Sequence, residues 1–451
     1  MNLSVKGNFA YLIILFLAFG GFNRTFAQEP LSLENAIERG LSANFQVKIA
    51  EANQKISAQN NSWVVAGKYP TINATLQNSN GYNNINNPAS FLRELSSVST
   101  GITPGVELSW VLYNGKRIEV VKSQLESLVD QSKINTQTAI ENAVQSIINA
   151  YFNVVVQQTQ LEVNREVLAL SGDRQSFQQL QRSFGQSGTF EELQTKDAWF
   201  VDSTAFLVQQ NNYSTALRTL NSLLGEEDLK KEYLLTDQLS EEALPLNEEA
   251  LHQLLLARNS SFQLLQANKS LALINTQIQK TSLKPTLSLR SGLNYNFNLS
   301  SGTGTLQSGE TLSLDAVTGQ TTNGFINLAA SFTLFDGGLR RRNIDAAVIQ
   351  ESIADFNLAD ASRNLKLQLS NLINNYNHQL QLYKISKELL INAMENLNIA
   401  QERLEGGLIN SFDYRAVQLA YLAANQQQLA TSLNIKNIET EILKLTGGLI
   451  N

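Results

Sequence analysis

The chain has 451 residues, a formal charge of −6 and no cysteine. It is large for one compact core, so it is multidomain or extended. The charge argues against a nucleic-acid partner, and the missing cysteine rules out a disulfide framework and a lipid-modified cysteine alike.

The N-terminus reads as a secretory signal, residues 1–27. Lys6 supplies the positive start, Phe9 to Phe22 the apolar run, and Thr25-Phe26-Ala27 a small-residue exit. The run is shorter than the ~20 residues of a membrane-spanning helix. Next comes a helical pattern over Ser32–Ala66, then two period-two runs. Ile72, Ala74 and Leu76 alternate with Asn73, Thr75 and Gln77; Val106, Leu108, Trp110 and Leu112 alternate with Glu107 and Ser109. These predict strands of about ten residues with one apolar face, long enough to cross a bilayer at a tilt. The polar stretch Asn83–Pro104 predicts a long loop. Lys116–Ser183 lacks proline and carries Ile140, Val144, Ile147, Tyr151, Val154 and Leu161 at three- and four-residue steps. That spacing predicts one helix with a coiled-coil stripe, roughly 100 Å long. A shorter helix follows over Phe190–Leu224.

After a charged linker, 226–245, the order repeats. Helix Asn247–Ser282 leads to strands around Leu287–Phe297 and Ile326–Leu334, joined by a polar loop over Ser300–Asn323. A long helix, Arg340–Glu405, and a short one, Phe412–Leu445, complete the series. Leu265-Gln266-Ala267-Asn268 echoes Ala50-Glu51-Ala52-Asn53, and Leu283-Lys284-Pro285-Thr286 echoes Lys68-Tyr69-Pro70-Thr71. Arg403 to Gly406 echoes Arg182 to Gly185. The chain is therefore two structural repeats, 28–225 and 246–451. Pro70 and Pro285 stand where helix gives way to strand. Gly115, Gly337 and Gly338 stand where strand turns into helix.

Four strands cannot stand alone in lipid, because open edges leave backbone groups without partners at several kcal/mol each. They are also too few for a barrel, the known bacterial ones starting at about eight strands. Sharing between copies is required, and three copies would make about twelve strands. Arithmetic alone also allows two or four.

Proline-headed strand pairs, the turn Phe335-Asp336-Gly337-Gly338 and the helix-tip run from Arg403 to Asp413, all in duplicated order over nearly the whole mature chain, resemble the TolC-like outer membrane efflux proteins. The resemblance implies an α+β membrane protein: a homotrimer with a twelve-stranded β-barrel, four strands per chain, continued by a periplasmic α-helical barrel. It implies an exit duct in the outer membrane, contacting lipid and docking with a periplasmic adaptor and an inner-membrane pump. Under it, Arg182, Gly185, Gly188, Arg403, Gly406, Gly407 and Ser411 mark adaptor-docking helix tips, although such glycines also simply end helices. Asp413 matches a family position at the periplasmic aperture. The family's second acidic position, three residues on, is Ala416 here, and an acid in a first helical turn also stabilises that turn.

Arg340, Arg341 and Arg342 read as solvated helix surface or a contact with lipid headgroups at the inner rim. His252 and His378 are the only histidines and read as helix-surface residues; no metal site or cofactor is expected. Gly302-Thr303-Gly304-Thr305 lacks the lysine and helix of a phosphate loop and reads as a flexible outer loop. Trp110 and Tyr113 fit an aromatic girdle. No enzyme chemistry is expected, there being no nucleophile–base order or metal cluster. The rival reading is a secreted or surface-attached structural coiled coil, which leaves the four amphipathic strands without a purpose.

Overall fold

A computed structural model describes residues 29–239 and 246–450. The signal read at 1–27 and the last part of the linker lie outside the described residues. In chain order the elements are β1 (Glu29–Leu31), α1 (Leu33–Ala43), α2 (Phe45–Asn60), β2 (Thr71–Asn86), β3 (Leu92–Asn114), α3 (Arg117–Ser183) and α4 (Thr189–Leu224). Then come β4 (Tyr233–Leu235), α5 (Glu248–Arg258), α6 (Ser260–Thr281), β5 (Thr286–Leu306), β6 (Thr311–Ser331), α7 (Leu339–Glu405) and α8 (Ser411–Leu445). The duplication is visible element by element. The two long helices have 67 residues each, so each is roughly 100 Å long at ~1.5 Å per residue.

The chain divides into two compact units that cut across the two repeats. One comprises the described parts of Met1–Asn44, Ala143–Leu244 and Tyr376–Thr440; the other comprises those of Phe45–Asn142, Pro245–Asn375 and Glu441–Asn451. Both long helices contribute to both units.

The second unit holds a four-stranded antiparallel sheet in the order β2-β3-β5-β6. β3 against β5 joins the two repeats, with Ser109 opposite Arg290 and Trp110 opposite Leu289. The alternation places apolar side chains on one face. Ile72, Leu76, Ile326 and Leu328 are all more than 60% exposed there. The strands are longer than their apolar runs predict, at 16, 23, 21 and 21 residues. The loops expected over Asn83–Pro104 and Ser300–Asn323 are mostly strand, and only Asn87–Phe91 and Gln307–Glu310 turn. Gly302–Thr305, expected in an outer loop, pairs with β3 on one side and β6 on the other. Ser, Thr and Asn in these stretches carry no face signal, yet their backbones join the ladder as well as any others do.

Each repeat's leading helix is two helices, where one was expected. Asn44 (φ −66°, ψ 116°) and Asn259 (φ −63°, ψ 119°) leave helical geometry at matching places. Asn259 caps the next helix by accepting the Phe262 N–H at 2.8 Å, and its own amide donates to the Leu445 carbonyl at 3.0 Å. An Asn side chain competes for local backbone groups, which favours such breaks.

In the first unit β1 pairs in parallel with β4, Glu29 opposite Tyr233. The linker thus contains a strand. The fully buried Tyr151 holds this corner, its hydroxyl donating to the Leu31 carbonyl at 2.8 Å and accepting the Asp237 N–H at 3.2 Å. Ile147, Val154, Leu217 and Leu220 are buried in the same unit. Among the described residues, no helix is long and apolar enough to cross a membrane.

Candidate functional site

The first unit contains both helix-tip turns. α3 ends at Gly185, whose φ of 72° is left-handed. There the Gln186 N–H donates to the Gln181 carbonyl and the Gly185 N–H to the Arg182 carbonyl, both at 2.9 Å. In the second tip the Leu408 N–H donates to the Arg403 carbonyl at 2.8 Å and the Gly407 N–H to Leu404 at 3.0 Å. The left-handed residue there is Gly407, at φ 68°, not Gly406. The echo of Arg182–Gly185 in Arg403–Gly406 is therefore displaced by one residue, since Gly185 corresponds to Gly407. The order of bonds, not the spelling Arg-x-x-Gly, ends each helix.

The tip residues differ in their surroundings. Arg182 pairs with Glu192 on α4. Gly188 is the N-cap of α4, with no side chain to cap it. In the second tip Asn410 does that work, its Oδ1 accepting the Phe412 and Asp413 N–H groups at 2.9 and 3.0 Å. Asp413 is exposed in the first turn of α8. With Arg403, Leu389, Asn392 and Val417 it lines an open groove of about 360 Å³. Ser411, the first residue of α8, offers its carbonyl to Arg174 at 3.5 Å.

Behind the tips lies a polar network that the sequence reading missed. The Asp202 side chain, only 4% exposed, takes both ends of the Arg415 guanidinium at 2.6 and 2.7 Å. The Ser171 hydroxyl donates to the same carboxylate. Gln418 Oε1 accepts from Arg415 at 2.8 Å and from Arg174 at 3.2 Å. Arg174 lies over the Tyr414 ring at 4.8 Å. Burial lowers the Arg174 pKa, a pull opposed by nearby Tyr414, and burial raises that of Tyr414. The members are separated by up to about 250 residues, so no local pattern joins them. The one available signal was Asp202 itself, an acid seven residues from Thr195 and from Gln209 on a stripe that should be apolar.

The strand–helix transitions lie in the second unit. Pro70 and Pro285 immediately precede β2 and β5. Gly115 has φ 70° and stands so close to Lys284 that a Cβ would meet its side chain at 2.7 Å. Gly337 and Gly338 have φ of 66° and 84°. Asp336 tightens that turn by accepting the Gly338 N–H at 3.0 Å and the Arg340 Nε at 2.7 Å. Arg340 also donates to the Thr333 carbonyl at 2.6 Å and the Ser282 carbonyl at 3.1 Å. It is a bracing side chain rather than solvated surface. The Arg340 guanidinium, with the Arg340 and Gly338 backbone N–H groups, holds the Asp336 carboxyl below its ordinary pKa. Trp110 donates to the Lys68 carbonyl at 2.9 Å. His378 is exposed, whereas His252 is only half-buried beside Glu248 at 3.5 Å. Among the described residues no three acidic, histidine or cysteine side chains cluster as a metal site.

Residues 251–448 match the family model of the outer membrane efflux proteins. That stretch, somewhat under half of the chain, is thus similar to the outer membrane efflux proteins. No curated protein matches. The solved structures extend the likeness to the whole fold. The CmeC outer membrane channel of Campylobacter jejuni is 16% identical, with a TM-score of 0.75 over 92% of this chain and 85% of its own. CusC, described for conformational changes accompanying folding and transmembrane channel formation, is 17% identical, with a TM-score of 0.73 over 92% of each chain. VceC of Vibrio cholerae is 14% identical, with a TM-score of 0.71 over 92% of this chain and 96% of its own. The α+β fold of a duplicated outer membrane efflux protein, read from the sequence, is the fold observed.

Proposed function

We propose that three copies close their sheets into one twelve-stranded barrel, and that the assembly is a passive exit duct for efflux or type I secretion. The observation that carries this is the pair of open sheet edges. β2 and β6, of 16 and 21 residues, each pair on one side only. Their apolar side chains face outward, suited to lipid. In a bilayer such edges cost several kcal/mol for each unpaired group. Pairing β6 of one copy with β2 of the next is a head-to-tail contact, which closes into a ring. Twelve is an even count within the known range of about 8 to 26 strands.

On this reading residues 1–27 are a removed leader, and the repeats 28–225 and 246–451 each supply half of one copy's wall. The polar strand face, with Asn73, Ser109, Asn294 and Asn327, lines water. The helices stand in the periplasm, and the tips around Gly185, Gly188, Gly406, Gly407, Arg403 and Ser411 meet a periplasmic adaptor. That adaptor links the duct to an inner-membrane pump. Three copies of Asp413 near the axis would draw cations to the mouth.

The test is conductance in a planar bilayer. The duct predicts discrete, cation-favouring channels, with weaker cation selectivity in Asp413→Asn. Inserted protein that conducts nothing would contradict the duct. A mutant indistinguishable from wild type would remove Asp413 from the mouth.

A further inference from the structure

The four junctions between strands and helices share a property that the duct does not use. They are residues 60–70, 115–122, 280–285 and 332–345. Together they hold nine basic residues and three acidic ones, a surplus of six positive charges in a chain of net −6. The junctions are also bound to one another. Lys122 Nζ donates to Asn61 at 2.7 Å, Trp110 to the Lys68 carbonyl at 2.9 Å, and Arg340 to the Ser282 carbonyl at 3.1 Å. Gly115 packs against Lys284. The strand ends lie level across the sheet, Asn114 opposite Thr286 and Thr286 opposite Ser331. The four segments therefore form one collar at one edge of the sheet.

Two of the nine cations are used in local ion pairs, and Lys68 Nζ also lies 4.4 Å from the Trp63 ring centroid. Arg340 holds Asp336, and Lys122 pairs with Glu126 at 2.6 Å. Lys68, Lys116, Arg117, Lys280, Lys284, Arg341 and Arg342 are exposed and have no ion-pair partner among the described residues. Interleaved with them are outward apolar side chains: Val64, Tyr69, Leu283, Phe332, Leu334 and Phe335, from 50% to 88% exposed. This apolar set lies immediately beyond the ends of the strands. A surface that is apolar toward one side and cationic at its rim fits the boundary of a bilayer, where anionic headgroups meet acyl chains.

We propose that this collar binds the anionic phospholipid headgroups of the leaflet on the helical side, and so fixes how deep the barrel sits. The proposal rests on the outer-membrane duct reading and adds the lipid chemistry to it. Its argument is charge complementarity, together with continuity with the lipid-facing strands.

The test uses the full-length protein purified in mild detergent and given equal amounts of phosphatidylglycerol and phosphatidylethanolamine. Native mass spectrometry counts the lipids retained per particle. Wild type should favour phosphatidylglycerol. The variant Lys68→Gln/Lys284→Gln/Arg341→Gln/Arg342→Gln should lose at least about tenfold of that preference, since each cation near an anionic surface contributes roughly fivefold. Arg341→Lys/Arg342→Lys should keep it. No preference in wild type, or an unchanged preference in the quadruple variant, would overturn the collar. So would a quadruple variant that falls apart into single chains where wild type does not, because the cations would then serve the contact between copies. Displacement of phosphatidylglycerol by millimolar inorganic phosphate would also overturn it, since the site would then take any anion rather than a membrane. A wild-type protein that is soluble and monomeric without detergent would instead defeat the duct reading itself.

Discussion

The two helical hairpins of the first unit repeat one plan but are sealed differently. Near the tips α7 and α8 meet through Ala393, Leu397 and Ala400 on one helix and Tyr414, Tyr421 and Ala424 on the other, an apolar cluster beside the buried Gln418 and Asn425. α3 and α4 meet through polar groups at seven-residue steps. Asn164, Ser171 and Gln178 are buried on α3, and Thr195, Asp202 and Gln209 on α4. They bond across the seam. Gln209 donates to the Gln157 side chain at 2.8 Å and to its carbonyl at 3.0 Å, and Ser171 donates to Asp202. A coiled coil gains stability from apolar seam positions and specificity from polar ones. Near the tips the α7–α8 contact is thus weighted to apolar packing and the α3–α4 contact to hydrogen bonds. The polar seam is also where the first hairpin reaches the second, through Asp202 and Arg415.

That difference can be broken at graded cost. The largest effect should come from Asp202→Ala, which strands the Arg415 guanidinium, only 16% exposed, without its partner. Removing one member of a buried pair costs about 3–5 kcal/mol. Thermal unfolding followed by circular dichroism should show a clear fall in midpoint, and Asp202→Leu/Arg415→Leu should recover much of it. A single mutant as stable as wild type would show that the pair is not holding the hairpins. Next, Leu397→Ala in the apolar seam should cost about 2–5 kcal/mol. Gln157→Leu/Gln209→Leu in the polar seam, which removes both side-chain partners at once, should be near neutral in stability. It should instead loosen register, read as cross-linking between cysteines introduced along α3 and α4 at more than one pairing. Equal losses from both would erase the contrast. The smallest effect concerns the tips. Gly407→Ala should cost about 1 kcal/mol, because its φ of 68° is left-handed. Gly406→Ala, whose Cβ would come no nearer than 3.4 Å to the Glu402 carbonyl, should cost less than about 0.5 kcal/mol. The reverse order would put the helix end back at Gly406.

Periodicity made much of this fold legible. The long helices were read to within a residue or two, because Ile147, Tyr151 and Val154 mark a stripe that only a helix presents on one face. Pro70 and Pro285 marked the starts of β2 and β5. Strand ends were not legible. Beyond Leu76 and Phe297 the side chains are mostly Asn, Ser, Thr and Gly, with Tyr82, Ile85 and Leu299 too sparse to mark a face. Asn44 and Asn259 were invisible as helix breaks, since an Asn in a helical pattern is a cap only if the chain turns there. The tip glycines were recognised, but their correspondence was off by one because letters were matched rather than hydrogen bonds. The Asp202–Arg415 network depends on tertiary approach, and only the misplaced acid on α4 announced it.

The most direct measurement is the mass of the particle extracted in mild detergent, corrected for bound detergent. Sheets completed between copies predict three chains per particle and no soluble species without detergent. A detergent-independent monomer would mean that β2 and β6 tolerate their open edges, and would contradict the shared barrel.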